Sequence, residues 1–343
     1  MPTLIIDGEC LSVHVESERL NIVRSDVSED GQREQQRTQV PFHDVDRVVV
    51  VGRPAMTIPV LQRLMFAGIP CYFVCTTNRW IGSLLPDNNK DAARRLRQYA
   101  VAHDVTLQLR IARSLVEAKL RNSRRVLQRL AANRVESYAP DQRAACAELE
   151  KLADRVAHCE TVDELRGIEG LGAARYFARL GAFFPTTIPF VTRSRRPPKD
   201  AANALLSWTY TILLGEVDCE IRTRGLDVCL GFLHEVSHGA PSLALDLIEP
   251  LRAPVCDLLV LNLLNHQILT EESFEFRTEE GGVFLRQDAH KPFFQGYERA
   301  MTRKFTLARG EPHTDFRRII GHQVDTILRA LEGATELEFF RMP

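Results

Sequence analysis

At 343 residues the chain is long enough to bury a sizeable core and to divide into two domains. Apolar residues make up 45% and charged residues 26%, ordinary proportions for a soluble globular protein, and no apolar run approaches the length needed to cross a bilayer. The formal net charge of −1 points to no class of partner, so the electrostatic information lies in how the charges are distributed.

The opening Met1-Pro2-Thr3-Leu4-Ile5-Ile6-Asp7 has no basic residue and reaches an acid too early for a signal peptide, so a cytoplasmic protein is expected. Residues 1 to about 86 read as strands. Leu4-Ile5-Ile6, Leu11 to Val15 and Leu20 to Val23 are short, branched and separated by polar turns, and Asp7-Gly8 predicts a hairpin between the first two. Val27 to Arg37 is almost wholly polar and reads as an exposed loop. Val45 to Gly52 is a more buried strand, Ile58 to Ala67 has helical spacing, and Cys71 to Val74 and Ile81 to Leu85 are further strands. The eight cysteines are scattered; Cys71 and Cys75 are the one close pair, without a second pair to complete a zinc site, and read as buried thiols on one side of a strand. Nothing in this region groups histidine, cysteine or acids for chemistry, so it reads as a scaffold or pairing domain.

From Lys90 the pattern turns helical and basic. Between Lys90 and Arg134 stand twelve cations, Arg94, Arg95, Arg121, Arg124 and Arg125 among them, against three acids. An excess of that size, mostly arginine, is the footprint expected of phosphate-backbone binding; the plainer reading is a solvated helical face. Asp141 to His158 is another helix. In Leu165-Arg166-Gly167-Ile168-Glu169-Gly170-Leu171-Gly172 the glycines bracket an acid ahead of an apolar helix, which places Glu169 near a helix N-terminus, either as a capping acid or as a ligand delivered by a tight turn. Thr192 to Asp200 is a basic loop carrying Arg193, Arg195 and Arg196. Asp200 caps a helix from Ala201 to Leu214, on which Asn203 and Tyr210, two turns apart, share a face. Asn203 is otherwise a local cap and Tyr210 core.

Gly231-Phe232-Leu233-His234 forms a turn ahead of a helix with Ser242 as its expected N-cap. Asp246 and Glu249 lie three apart on one face of it, and His234 could fold back over them. A histidine and two carboxylates converging this way can hold a divalent metal; the alternative is an amphipathic helix with two solvated acids and an incidental histidine. Leu251 to Leu264 reads as an apolar helix with Asp257 in the core, Arg286 to Lys304 as a mixed segment containing His290, and Phe316 to Leu331 as a closing helix. No GxxxxGK[ST] loop is present, so ATP use is not expected.

Taken in order, Ile168-Glu169-Gly170, Arg195-Arg196-Pro197-Pro198-Lys199-Asp200-Ala201-Ala202-Asn203, Gly231-Phe232-Leu233-His234 and Ser242-Leu243-Ala244-Leu245-Asp246-Leu247-Ile248-Glu249-Pro250-Leu251-Arg252 resemble the CRISPR-associated integrase of the spacer-acquisition module, the Cas protein numbered one. The resemblance covers essentially the whole chain. It implies an α+β fold, with a strand-rich dimerisation domain over residues 1–86 and an α-helical catalytic and DNA-binding domain over 90–343. By resemblance the metal ligands fall on Glu169, His234 and Glu249, with Asp246 as an accessory acid and Tyr210 and Asn203 near the active site. Mg²⁺ or Mn²⁺ is expected, because carboxylates and one imidazole without cysteine suit a hard cation. The implied activity is a metal-dependent DNA endonuclease and integrase that joins the 3′-hydroxyl ends of short double-stranded fragments to a CRISPR array by transesterification. Arg94, Arg95, Arg121, Arg124, Arg125, Arg193, Arg195 and Arg196 would hold the DNA. A homodimer, a small partner, the Cas protein numbered two, and no membrane contact are implied as well. One departure stands at His238-Gly239-Ala240, where members often carry a basic residue beside the glycine, and it sets a DNA contact from that loop in question. The competing readings are a branched-DNA repair nuclease or transposon-type integrase with the same metal site, and a DNA-binding scaffold without catalysis.

Overall fold

Short branched strands separated by polar turns build two sheets at the start of the chain. The computed structural model describes residues 3–8, 11–27, 33–77, 79–86, 91–132, 140–194, 197–308 and 312–343. The first elements are β1 (Thr3–Asp7), β2 (Leu11–Glu16), β3 (Arg19–Val27), β4 (Arg33–Pro41), β5 (Arg47–Val51), β6 (Ala55–Met56), α1 (Ile58–Phe66), β7 (Cys71–Val74) and β8 (Trp80–Leu84). One sheet has the order β1-β5-β7-β8, parallel except for β8; the other has the order β4-β3-β2-β6.

Three expectations fail here. Asp7-Gly8 turns no hairpin: β1 pairs in parallel with β5, Ile5 opposite Val49, and β2 joins the other sheet. The polar stretch after Val27 is not all loop either, since β4 begins at Arg33 and pairs with β3 along its length. As the edge strand with exposed side chains from Gln35 to Gln39, β4 has no need of the apolar alternation that marks a half-buried strand. Cys71 is buried in β7, and burial pushes its thiol up to about 12; Cys75 lies beyond the strand and is half-buried, so the two do not form the expected pair.

The valine run of β5 has no solvent face. Val48 and Val50 join Ile6, Leu20, Leu64 and Cys71 in one core, while Val49 and Val51 join Tyr72, Val74 and the helices in another. The two-residue period of a strand divides its side chains between the two interiors.

The rest of the chain is helical with one hairpin: α2 (Ala92–Ala100), α3 (Val105–Ala132), α4 (Pro140–Arg155), α5 (Val162–Leu180), α6 (Ala201–Thr223), α7 (Ser242–Leu251), α8 (Leu258–Asn265), β9 (Phe274–Arg277), β10 (Gly282–Leu285), α9 (Gln287–Thr302) and α10 (Phe316–Leu331). The β9–β10 hairpin carries no feature that the sequence reading picked out. α3 is the axis of this region, packed against α4, α5 and α7. Its buried residues, among them Ile111, Leu115, Ala118, Leu120, Asn122 and Val126, cover more than one stripe, as a helix enclosed on several sides requires.

Helix ends depart from expectation at three places. Glu169 is not near a helix start: α5 begins at Val162 behind the Thr161 cap and runs through all three glycines. Ser242 is the first helical residue rather than the cap; its hydroxyl donates to the Glu235 carbonyl at 2.7 Å and Pro241 holds the cap position. The apolar helix expected from Leu251 is interrupted by a π-helical segment, Arg252–Asp257, between α7 and α8. Pro250 and Pro254 lack the amide hydrogens a regular helix would use here, and a π turn accommodates the loss. Among the described residues no helix is long and apolar enough to cross a membrane.

Candidate active site

The site is assembled from α3, α5, α7 and the turn that precedes α7. Gly231 allows that turn to lie on the start of α7, since a Cβ there would stand 2.8 Å from Ser242 Cβ and 3.0 Å from Asp246 Oδ2. Asp246, fully buried, then collects the turn's amides. Its Oδ2 accepts from the Phe232 and Leu233 N–H groups at 2.5 and 3.0 Å, and its Oδ1 from the His234 N–H at 2.9 Å. His234 Nδ1 lies 2.7 Å from the same Oδ1. A carboxylate that accepts a hydrogen bond from Nδ1–H fixes the ring and leaves the Nε2 lone pair free, the arrangement of a metal-binding histidine. Asp246 is therefore a positioning residue whose charge is spent on the turn. Arg166 braces the turn from α5: its Nε donates to the Leu233 carbonyl at 2.8 Å and its Nη1 to Glu235 at 2.9 Å.

His234 Nε2 faces Glu249, 3.9 Å from its Oε1. Glu249 is also buried, and its two oxygens face two different cations. Arg252 Nη1 lies 3.1 Å from Oε1, and Lys119 Nζ lies 2.5 Å from Oε2. Burial alone would raise the Glu249 carboxyl, but Arg252 and Lys119 outweigh it and hold the group at about 2. Glu169 comes to the same place because α5 approaches α3 closely at Gly172, where a Cβ would fall 2.2 Å from a Leu120 methyl. That approach pairs Glu169 Oε1 with Lys119 Nζ. Glu169 and Glu249 thus do meet around one cation, the ammonium of Lys119. As they stand, no three His, Cys, Asp or Glu side chains among the described residues are grouped to hold a metal ion.

Tyr210 and Asn203, expected on one face near the site, have separate duties. The Tyr210 ring lies between two guanidinium groups, Arg193 at 5.4 Å and Arg252 at 5.1 Å from its centroid. Its hydroxyl donates to Asp257 Oδ1 at 2.6 Å, while Tyr176 donates to Asp257 Oδ2 at 2.9 Å. Burial first, then the Asp257 charge, holds Tyr210 well above the ordinary phenol value. Tyr210 reaches the carboxylates through Arg252. Asn203 is buried and organises the basic loop: its Oδ1 accepts from Arg193 Nη1 at 2.9 Å and from the Ser194 N–H at 3.0 Å, and its Nδ2 donates to the Thr192 carbonyl at 2.8 Å and to Asp200 at 2.7 Å. Asp200 caps α6 as expected.

The basic stretch is largely spent inside the molecule. Arg94 pairs with Asp91 and donates to the Arg224 carbonyl. Arg121 pairs with Glu117 and Asp154, Arg124 with Glu150, and Arg125 donates to the Pro343 carbonyl. Arg193 turns inward on Asn203, Ser207 and Tyr210. Arg95 is exposed, as is Arg129, while Arg195 and Arg196 lie outside the described residues. Counting charge along the chain cannot see the acids that α4 brings to α3, or the Pro343 carbonyl that takes up Arg125. The same blindness hid Lys119, which reads as one more DNA cation. Arg252 carried a usable signal, standing three residues after Glu249 on the same face.

The chemistry of the set fits a hard divalent cation. Two carboxylates and an oriented imidazole lie together without a thiolate, and Glu249 Oε2 has Lys119 as its partner.

A sequence profile of the family described as CRISPR associated protein Cas1 matches residues 4–299. The CRISPR-associated endonuclease Cas1 3 of Thermus thermophilus is 32% identical over 86% of this chain and 85% of its own length. The CRISPR-associated endonuclease Cas1 1 of Thermodesulfovibrio yellowstonii is 31% identical over 93% of this chain and 98% of its own. Of solved structures, a casposase bound to integration product has a TM-score of 0.83 at 22% identity, covering 99% of this chain and 93% of that one. A CAS1 protein from Thermotoga maritima has a TM-score of 0.78 at 23% identity over the whole of both chains. A chain of a Cas6-RT-Cas1–Cas2 complex has a TM-score of 0.79 at 21% identity, covering 100% of this chain and 36% of that one. At such identities the structural likeness speaks for the fold.

Proposed function

The chain belongs to the Cas1 family of CRISPR-associated proteins, and from that premise we propose that it is a divalent-metal-dependent DNA endonuclease and integrase that inserts short DNA fragments into a CRISPR array. The observation that carries this reading is the convergence of Glu169, Glu249 and an Asp246-oriented His234 on one partly open spot. Glu169, His234 and Glu249 would hold Mg²⁺ or Mn²⁺, which when bound supplies Lewis acidity toward a phosphodiester and orients the attacking and leaving oxygens. Asp246 keeps the Nε2 lone pair of His234 turned to the site. Arg252, held between Glu249 and the Tyr210 ring, fixes the Glu249 carboxylate, and the Tyr210–Asp257–Tyr176 hydrogen bonds fix the ring that Arg252 rests on. Joining a fragment to the array is transesterification: a 3′-hydroxyl oxygen bonds to the array phosphorus as a 3′-oxygen leaves. Water in place of that hydroxyl makes the same centre an endonuclease.

DNA contact falls to cations left at the surface, such as Arg95 and Arg129, and to Arg195 and Arg196 of the basic loop, whereas Arg193 is turned inward. Phosphate contacts of this kind position DNA without reading its sequence. A small Cas2-type partner is proposed because a chain of this fold occurs in a Cas1–Cas2 assembly. Pairing of two copies through the strand-rich region is proposed on the exposed edge that β4 leaves there.

His234→Ala is expected to lose strand transfer by at least about a hundredfold while DNA affinity changes less than about twofold, the pattern of a lost metal ligand. A strand-transfer gel in Mn²⁺ and a filter-binding titration check the two halves, and undiminished joining rejects the assignment. The likeness to a casposase favours a second reading, a transposon-type integrase, which the same assay separates by offering transposon ends against a leader-repeat target.

A further inference from the structure

Glu249 is gripped by two cations of different character. Arg252 is half-buried, its Nη1 on Oε1 and its guanidinium 5.1 Å from the Tyr210 ring centroid, so it is held on both sides. Lys119 reaches Oε2 and Glu169 Oε1 from α3 on a flexible four-carbon stem. The side chains around it open toward solvent in order: Lys119 is 11% exposed, Glu169 26% and His234 36%. A cation arriving from solvent past Glu169 and His234 therefore meets Lys119 already holding the oxygens it needs, and Lys119 is the partner that can leave.

We propose that Lys119 is a resident counter-ion between Glu169 and Glu249 that a divalent metal must displace, so that loading this centre is an exchange of one cation for another. The inference rests on Glu169, His234 and Glu249 being the ligands. Without Lys119, Glu249 would keep only Arg252 and the neighbouring His234, and Glu169 and Glu249 would lose the cation that stands between them, a cost for the buried Glu249. Lys119 therefore does two things. It holds the metal-free centre in its working shape, and it weakens metal binding by the free energy of the two ion pairs that must break. The displaced ammonium stays tethered beside the centre.

The test uses the full chain and Mn²⁺ alone, with free ion counted by electron paramagnetic resonance, on wild type, Lys119→Met, Lys119→Gln and His234→Ala. Both Lys119 variants are expected to bind Mn²⁺ about tenfold tighter or more, the size of one charge-assisted hydrogen bond. Without metal they should melt at a lower temperature than wild type, and saturating Mn²⁺ should raise their melting temperature by more than it raises that of wild type. Equal or weaker binding in both, with His234→Ala weakened as expected, overturns the displacement and leaves the ligand set standing. Undiminished binding in His234→Ala overturns the ligand set and the displacement with it. A measurement on the unmodified protein covers variants that fail to fold. The acylation rate of the Lys119 amine, read by peptide mass spectrometry, should rise several-fold on adding Mn²⁺, and an unchanged rate overturns the exchange.

Discussion

Asp257 shows how far a single side chain can be read from sequence. Its place within an apolar run marks it as buried, and it is. What the run conceals is that two tyrosine hydroxyls from α5 and α6, far away along the chain, close on its two oxygens. Burial raises this carboxyl to about 6, with the hydrogen bonds from Tyr210 and Tyr176 and the charges of Arg193 and Arg252 pulling the other way. In the unfolded chain the group titrates in the ordinary carboxylate range, so the folded state holds the proton more tightly. The stability it contributes is complete below about pH 4 and lost as the pH rises through about 6. Asp257→Asn removes that proton. Urea denaturation at a series of pH values should show wild type losing roughly 2–3 kcal/mol relative to the variant between pH 4 and 7. A constant difference would mean that Asp257 does not titrate in this window. The ligand candidates were legible by type and spacing, whereas Lys119 was not, because its partners are 50 and 130 positions distant and only packing brings them together.

Secondary elements position these groups through backbone details that sequence rules treat as defects. Three glycines in a row of six residues predict a turn, yet α5 runs through them as one helix, since packing against α3 and α4 outweighs their low helix propensity. Gly172 is there for close approach, whereas a Cβ at Gly167 would meet nothing within 4 Å. The two should therefore respond in opposite directions. Gly167→Ala is expected to stabilise by about 0.5–1 kcal/mol through helix propensity. Gly172→Val is expected to cost about 1–3 kcal/mol by overpacking against Leu120, and to separate Glu169 from Lys119 as α5 backs away. Thermal melts of both variants check the signs, and a stable Gly172→Val protein would remove close packing as the reason that Glu169 sits where it does. The π segment after α7 is a similar case. Prolines 250 and 254 announce an irregularity, but which carbonyls go unpaired, and that Arg252 and Asp257 are thereby aimed at Glu249 and Tyr210, belongs to the folded chain.

Across the whole molecule, the strand-rich start and the helical remainder are tied by a charged network as well as by apolar packing. Arg317 on α10 pairs with Glu216 of α6 and Glu298 of α9 and donates to the Thr3 hydroxyl of β1. Arg47 of β5 reaches Glu216 from the other side at 2.7 Å. Glu216 is nearly inaccessible, its side chain 2% exposed, so a lost partner leaves a charge that water cannot reach. Arg317→Met should destabilise the protein by roughly 2–3 kcal/mol, less than a fully orphaned pair because Arg47 remains. Denaturant unfolding measures it, and a change below about 0.5 kcal/mol, the size expected of an ordinary surface site, would show the network to be incidental. The change of composition after residue 86 was legible from the sequence; the network across it was not, because each of its members reads alone as a solvated charge.

The valines of β5 turn alternately to two different interiors, so the sheet that contains them is a party wall. Cutting the chain where its composition changes would strip plaster from both rooms at once. Val49, Val51, Tyr72 and Val74 would be bared on one fragment and their helical neighbours on the other. The border visible in the string of letters is crossed by that shared wall.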